Sequence, residues 1–173
     1  MKVLLHSCCG PCASACVPRL KELGHEVTMF YANSNIDTEA EFEKRRAAAD
    51  VLAKAEGVEM AVAPYDHGEW LKEVAAGYET EPEKGARCAR CFRFNLAKTA
   101  AYAREHGFDA FTTSLTVSPH KVSEMVFASS EDPKFLKENF KKREGFKRSL
   151  KRAAELGLYR QSYCGCEFSR SGK

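Results

Sequence analysis

Seven of the eight cysteines in this sequence fall into three tight groups: Cys8-Cys9-Gly10-Pro11-Cys12, Cys88-Ala89-Arg90-Cys91 and Cys164-Gly165-Cys166. A metal needs several thiolates converging on one point, and short spacings let one loop supply two ligands with little loss of ordering entropy. Cys88 and Cys91, at i and i+3, share a helical face. Adjacent Cys8 and Cys9 point in different directions and serve either one cluster from two sides or two separate metals. Cys16, one turn after Cys12 in an apolar helix, reads as a small core residue.

The compartment decides what such thiols do. The apolar run that opens with Val3 and ends at His6 is far too short for a signal peptide or a membrane span, so the chain is expected to be cytoplasmic, off the membrane, with reduced cysteines. Clustered thiols in that setting bind metal or do redox chemistry. With 173 residues and an apolar fraction of 44%, residues 1–173 are expected to form a single α/β domain around one core.

The pattern along the chain alternates strands with helices. Val3 to His6 reads as a buried strand, followed by a cysteine loop and a helix from about Cys12 to Leu23, closed by Gly24. Glu26 to Tyr31 is the next strand. Thr38 with Glu41 forms a capping box that opens a long helix to Glu56, stopped by Gly57. Glu59 to Ala63, Asp66 to Val74, Cys91 to His106 and Ala110 to Thr113 continue the series as strand, helix, helix and strand. Such alternation implies a mainly parallel sheet with flanking helices. Parallel sheets bind ligands beyond the carboxyl ends of their strands. Cys8, Asn33, Asn35, Tyr65 and Ser114 all follow strands and are expected to meet there.

The C-terminal third differs in charge. Ser118-Pro119 looks like a helix start, and Asp132-Pro133 repeats that signal for a basic helical segment over about 132–157. Between Lys134 and Arg152 stand nine Lys and Arg against Glu138 and Glu144, a local surplus of +7 within a chain whose net charge is +3. With Phe135, Phe140 and Phe146 interleaved, this stretch suits either a polyanion or an ordinary solvated face. The last helix, from about Phe146 to Leu156, ends at Gly157. Residues 158–173 are too few for a core of their own, so this cysteine tail must dock back onto the body.

Taken as spacing alone, the cysteines also suit zinc sites that staple the tail to the body. Three features weigh against that: the first group sits at the expected binding edge, seven ligands exceed one tetrahedral site, and Gly165 suits a mobile pair. A zinc-stabilised nucleic-acid-binding module without redox activity is the corresponding non-enzymatic reading. An ATP-dependent tRNA-modifying enzyme is a third, but the turn after the first strand, Ser7-Cys8-Cys9-Gly10-Pro11, lacks the expected glycine-rich phosphate loop.

From end to end the chain resembles the QueH family. The resemblance runs through Leu4-Leu5-His6-Ser7-Cys8-Cys9-Gly10-Pro11-Cys12, Asn33-x-Asn35-Ile36, Arg87-Cys88-x-x-Cys91, Phe111-Thr112-Thr113, Ser118-Pro119-His120-Lys121 and Leu158-Tyr159-Arg160-Gln161-Ser162-Tyr163-Cys164-Gly165-Cys166. One departure is Ser34, where the family often has proline; it touches loop stiffness only. The resemblance implies a fold similar to the nucleotide alpha hydrolase (HUP-like) group and cobalamin-independent reduction of epoxyqueuosine to queuosine. It also implies a tRNA substrate modified at the wobble position and a 4Fe-4S cluster held by Cys8, Cys9, Cys88 and Cys91. Cys164 and Cys166 then either form a redox-active disulfide or join Cys12 around a second iron or zinc ion. A disulfide one residue apart is strained and easily reduced.

Removal of an epoxide oxygen needs two electrons and two protons. Apart from thiols, no side chain supplies electrons. An iron-sulfur cluster and an unidentified low-potential electron donor are therefore expected, with a neighbouring metal as Lewis acid. Beside Cys164 and Cys166, the candidate catalytic groups are His120 and Tyr163, with Asp37 as a further proton donor. Asn35, Lys121, Arg160 and Gln161 are the candidate substrate contacts. His6, inside a strand, reads as a core histidine.

Overall fold

The structure is a computed structural model that describes residues 1–170; the final three residues of the expected tail, 171–173, lie outside the described residues. Four strands, β1 (Lys2–His6), β2 (Glu26–Tyr31), β3 (Glu59–Val62) and β4 (Ala110–Thr113), form one parallel sheet in the order β3-β2-β1-β4. The period-2 alternation of β1 divides the core between the two faces. Val3 and Leu5 pack with Val17 and Leu20 of α1 (Gly10–Glu22), with Ala49 and Leu52 of α2 (Glu39–Glu56), and with Ala153. Leu4 and Phe30 face the other way, onto Leu96, Ala100 and Ala103. Val3, Leu4 and Leu5 are fully buried. Each such side chain contributes about 1.5–3 kcal/mol of hydrophobic stabilisation.

Local signals set most boundaries. Thr38 Oγ1 accepts the Glu41 amide at 3.2 Å to open α2. Gly57 closes it at φ 64°, where a side chain would be strained. Asp66 caps α3 (His67–Trp70), which buries Trp70 and continues as a π-helical turn, Leu71–Ala75, that buries Val74 and Ala75. Helix α4 runs from Ala86 to Glu105, beginning five residues before the expected start at Cys91 because Gly85 is its N-cap. Cys88 and Cys91 therefore lie in its first turns.

Two expected helix starts are not helical. Ser118 Oγ accepts the His120 amide at 3.2 Å and the Ser118 carbonyl accepts from Lys121, so the local side-chain bond makes a turn. Helix α5 begins only at Ser123 and ends at Ala128. At Asp132, Oδ1 accepts the Lys134 amide at 2.9 Å, and the chain then runs beside β4. Phe111 donates to the Lys134 carbonyl at 3.0 Å and accepts from Leu136 at 2.8 Å, with Phe135 stacked on Phe111. Sheet-edge pairing thus wins over helix, and the basic segment becomes helical only at a 3-10 turn, Lys142–Glu144, followed by α6, Gly145–Leu156. Of the aromatics interleaved in this segment, Phe135 and Phe140 are buried and Phe146 packs against the core, so their rings face the interior and are not offered to a polyanion.

The strand order has a consequence for function. The chain steps from β1 outward to β3, then crosses to the far side of β1 to add β4. The reversal opens a crevice beyond the ends of β1 and β4, where ligand sites of parallel sheets form. Cys8 follows β1 and Ser114 follows β4, and the Cys8 amide donates to Ser114 Oγ at 3.0 Å.

Candidate metal centre

The first cysteine group is shaped by the turn out of β1. Cys9 is the N-cap of α1, with extended φ −167° and ψ 165°, and its sulfur accepts the Cys12 amide at 3.4 Å. An extended cap followed by one helical turn folds Cys12 back over Cys9. The sulfurs of Cys8, Cys9 and Cys12 all lie within 4.8 Å of one another. Gly10 permits this close turn against α2, since a Cβ there would stand 2.9 Å from the Ala48 carbonyl carbon and oxygen. Ser114 Oγ donates to Cys8 Sγ at 3.2 Å.

Beneath the turn, buried polar groups lock the strand ends. His6 Nδ1 lies 2.9 Å from Thr113 Oγ1, and Nε2 faces the Ala32 carbonyl and Asn33 Oδ1. Both partners of Nε2 are acceptors, so Nε2 carries the proton and Nδ1 accepts from the threonine. Burial lowers the His6 pKa to about 4, keeping the ring neutral. Asn33 Nδ2 holds the Ser7 carbonyl at 2.9 Å. His6 is the core histidine expected from its strand position. Ser34 stiffens its loop through hydrogen bonds instead of a ring, accepting the Asp66 amide at 3.1 Å.

Helix α4 brings the second group. Cys88 Sγ accepts the Lys84 amide at 3.3 Å, and Cys91 Sγ accepts Trp70 Nε1 at 3.4 Å. Cys88 packs with Cys8 around Phe92, Leu115 and Val126, while Cys91 packs with Cys166 around Trp70. Arg87, itself buried, donates through one nitrogen to the carbonyls of Tyr78 and Glu81 and so folds the preceding loop over this end of the helix.

The third group reaches the same face. Cys164 is exposed, Cys166 is buried, and both are free thiols lining a cavity with Cys88, Lys121 and Phe92. Lys121 Nζ donates to Cys164 Sγ at 3.1 Å. The tail is strapped down by a buried ion pair: Arg45 Nε meets Glu41 Oε1 at 2.9 Å, and the other two guanidinium nitrogens donate to the carbonyls of Cys164 at 2.7 Å and Tyr163 at 3.1 Å. Tyr159 Oη donates to Glu41 at 2.9 Å.

The remaining candidates divide. Gln161 contacts Cys9, so it faces the thiols. Asn35 is buried and accepts from Asn95 Nδ2 at 3.3 Å, whereas Arg160 is exposed. Tyr163 Oη donates to Asp37 Oδ1 at 2.7 Å and accepts from Arg170, which tie both Tyr163 and Asp37 into the tail's anchorage. His120 stands exposed on the Ser118 turn, and its imidazole makes no hydrogen bond among the described residues. Spacing did not single out Arg45, Trp70 or Asn95. The i, i+4 relation of Glu41 and Arg45 was readable, but its burial was not.

Three thiols this close do not ionise independently. Cys12 and Cys8, both donating toward Cys9, hold its pKa well below the usual thiol range. The Cys12 contact acts to lower Cys8, but Cys9 and burial outweigh it and push Cys8 up to about 12. Cys8, Cys9 and burial likewise raise Cys12. Of the three, Cys9 is the thiol whose surroundings favour the thiolate. Burial opposes the charge of Lys121, yet the neighbouring Cys164 keeps the ammonium above its ordinary value, so a cation is retained at the cavity. Soft sulfur donors, N–H groups aimed at them and a dry setting are the chemistry of an iron-sulfur or zinc site.

A model of the family described as epoxyqueuosine reductase QueH matches residues 3–172. The epoxyqueuosine reductase QueH of Streptococcus pyogenes serotype M1 is 37% identical over 179 residues, an alignment spanning 96% of this chain and 69% of the relative. That of Dehalococcoides mccartyi is 34% identical over 182 residues, spanning 99% of this chain and 96% of the relative. Among solved structures, the U34-tRNA thiolase NcsA from Methanococcus maripaludis with its 4Fe-4S cluster superposes with a TM-score of 0.58 at 17% identity, covering 98% of this chain and 61% of the thiolase. At that identity the likeness is one of fold, the HUP-like arrangement expected from the sequence.

Proposed function

The chain belongs to the QueH family of epoxyqueuosine reductases, and on that footing we propose that it reduces epoxyqueuosine to queuosine at the wobble position of tRNA, without cobalamin, through an iron-sulfur centre. The observation that carries the reading is the meeting of Cys8, Cys9 and Cys12 within 4.8 Å at the crevice beyond β1 and β4. A structural zinc staple has no need of that location. In our reading Cys8, Cys9, Cys88 and Cys91 hold a 4Fe-4S cluster, and Cys12, Cys164 and Cys166 either hold a second iron or zinc ion or, through Cys164 and Cys166, cycle as a disulfide. The whole chain acts as one catalytic unit.

The reaction adds two electrons and two protons to the epoxide and yields an alkene and water. When bound, an iron-sulfur cluster supplies single electrons from a low-potential donor. The chain's own residues do the rest. Lys121 Nζ holds its proton and charge beside Cys164, where it can offset charge that develops on the departing oxygen. Phe92 and Val126 help to dry the floor of the site. The protein N–H groups on Cys9, Cys88 and Cys91 favour electron-rich sulfur. Asn35, Arg160 and Gln161 remain our candidates for contact with the modified nucleoside, and His120 for a second proton. Exposed Lys137, Lys142, Arg143 and Lys147 provide the phosphate-binding face for tRNA, with affinity that falls as salt rises.

Anaerobic purification followed by iron, sulfide and zinc analysis tests the centre itself. Brown protein with about four iron and four sulfide per chain is expected. Iron beyond the sulfide count, or additional zinc, assigns the tail cysteines to a second ion. Colourless protein that holds zinc alone would make the staple the better account.

A further inference from the structure

We infer that Arg45 is a positioning residue for the reaction: from the buried face of α2 it fixes the backbone of Tyr163 and Cys164, and thereby sets where Cys164 and Cys166 stand relative to the body cysteines. The inference rests on reading the thiol face as the reductase centre. Nothing in the chemistry of the cysteines themselves requires an arginine in the neighbouring helix.

The geometry is specific to a guanidinium. Arg45 has only 2% of its surface exposed, and its three nitrogens are divided among a carboxylate and two carbonyls, at 2.9 Å to Glu41, 2.7 Å to Cys164 and 3.1 Å to Tyr163. The planar fork matches three acceptors lying in different directions, which an ammonium on a flexible stem does not. Its face also lies over the Tyr163 ring, 5.0 Å from the centroid.

The peptide it holds is one that would not take this shape unaided. Gly165 sits at φ 152°, and a Cβ there would stand 3.0 Å from Asn35 Nδ2 and 3.3 Å from the Arg45 nitrogen, so the glycine is seated directly on the anchor. The Gly165 carbonyl accepts the Asp37 amide at 2.9 Å. Two backbone clamps, one from each side of Gly165, thus orient an exposed thiol and a buried one. Thiols that act together with a centre elsewhere in the chain depend on such placement, because small misplacements cost large factors in rate.

Arg45→Met tests this, with Arg45→Lys as the conservative partner and Arg46→Ala, at an exposed pair with Glu43, as the control. In Arg45→Met the expected kcat falls at least about tenfold while KM for tRNA stays within about twofold and the visible iron-sulfur absorbance is retained. Hydrogen exchange of the peptide that contains residues 159–166 should rise about tenfold or more. Arg45→Lys should not rescue either readout, and Arg46→Ala should match wild type in both. Wild-type kcat, or unchanged exchange of the tail peptide, overturns the inference. If Arg45→Met fails to fold, Gly165→Ala decides on the same readouts: a lowered kcat with retained absorbance supports the inference, and a wild-type kcat overturns it. If wild-type protein leaves epoxyqueuosine untouched while the tail of Arg45→Met still exchanges faster, the reductase reading fails and the anchoring contact stands.

Discussion

Cys9→Ser is expected to yield folded, colourless protein whose epoxyqueuosine-reducing activity falls to background. Cys9 is the hinge of the site in three senses. Its sulfur belongs to the three-thiol set, its pKa is held well below the usual thiol range by the Cys12 and Cys8 contacts, and it caps α1 by accepting the Cys12 amide. Alanine would remove ligand and cap together, and loss of the cap alone costs about 1 kcal/mol. Serine separates the two, since its hydroxyl is a strong N-cap but a hard, poorly ionised donor that does not replace a thiolate to iron. Iron content, visible absorbance and turnover should therefore drop together, while the unfolding midpoint of the metal-free protein stays almost unchanged. Cys16→Ala is the contrast. That thiol is fully buried and donates to the Cys12 carbonyl at 3.4 Å, so its loss should leave the metal centre and turnover intact and cost about 1 kcal/mol of packing. A brown, active Cys9→Ser protein would remove Cys9 from the ligand set.

Glu41→Ala carries the largest expected loss of stability. The carboxylate and Arg45 are 9% and 2% exposed in their side chains, and removal of one partner leaves a buried guanidinium without its counter-charge. Breaking such a pair costs about 3–5 kcal/mol, even though an apolar replacement of both partners is often neutral. The Tyr159 hydroxyl loses its acceptor in the same step. Denaturant unfolding of metal-free protein reads this without interference from bound metal. The double variant Glu41→Leu with Arg45→Met should recover most of the lost stability, because no charge is then buried. It should not recover turnover, because the carbonyls of Tyr163 and Cys164 still lack their donors. Equal stability of Glu41→Ala and wild type would show that Arg45 is compensated by its carbonyl contacts alone.

These two residues mark the boundary of what sequence alone conveys. The alternation of apolar strands with capped helices was legible because period and cap chemistry are local, and the sheet edge that gathers Cys8 and Ser114 follows from parallel topology. The failures occurred where a long-range contact overrode a local signal. Asp132-Pro133 carries a good helix start, but Phe135 gains more by stacking on Phe111 along β4 than an exposed basic helix would. Ser118-Pro119 carries a similar signal, but the serine hydroxyl accepts the His120 amide and makes a turn. At the site, the three cysteine groups were visible as spacing, while the closeness of Cys12 to Cys8 and Cys9 depends on an extended cap at Cys9 that spacing does not specify. In sequence, the i, i+4 spacing of Glu41 and Arg45 is indistinguishable from that of a surface pair. Only the tail folding over α2 makes them interior, and that docking is not written in their own neighbourhood.

The central claim is tested most directly by nucleoside analysis of a single reaction. Anaerobically purified, iron-loaded protein is incubated with tRNA that carries epoxyqueuosine and a strong chemical reductant, and the digested tRNA is resolved by mass spectrometry. The expected result is conversion of epoxyqueuosine to queuosine, with loss of one oxygen atom, in a reaction that needs protein and reductant and no added cobalamin. Epoxyqueuosine that survives unchanged with iron-loaded protein and reductant both present would contradict it.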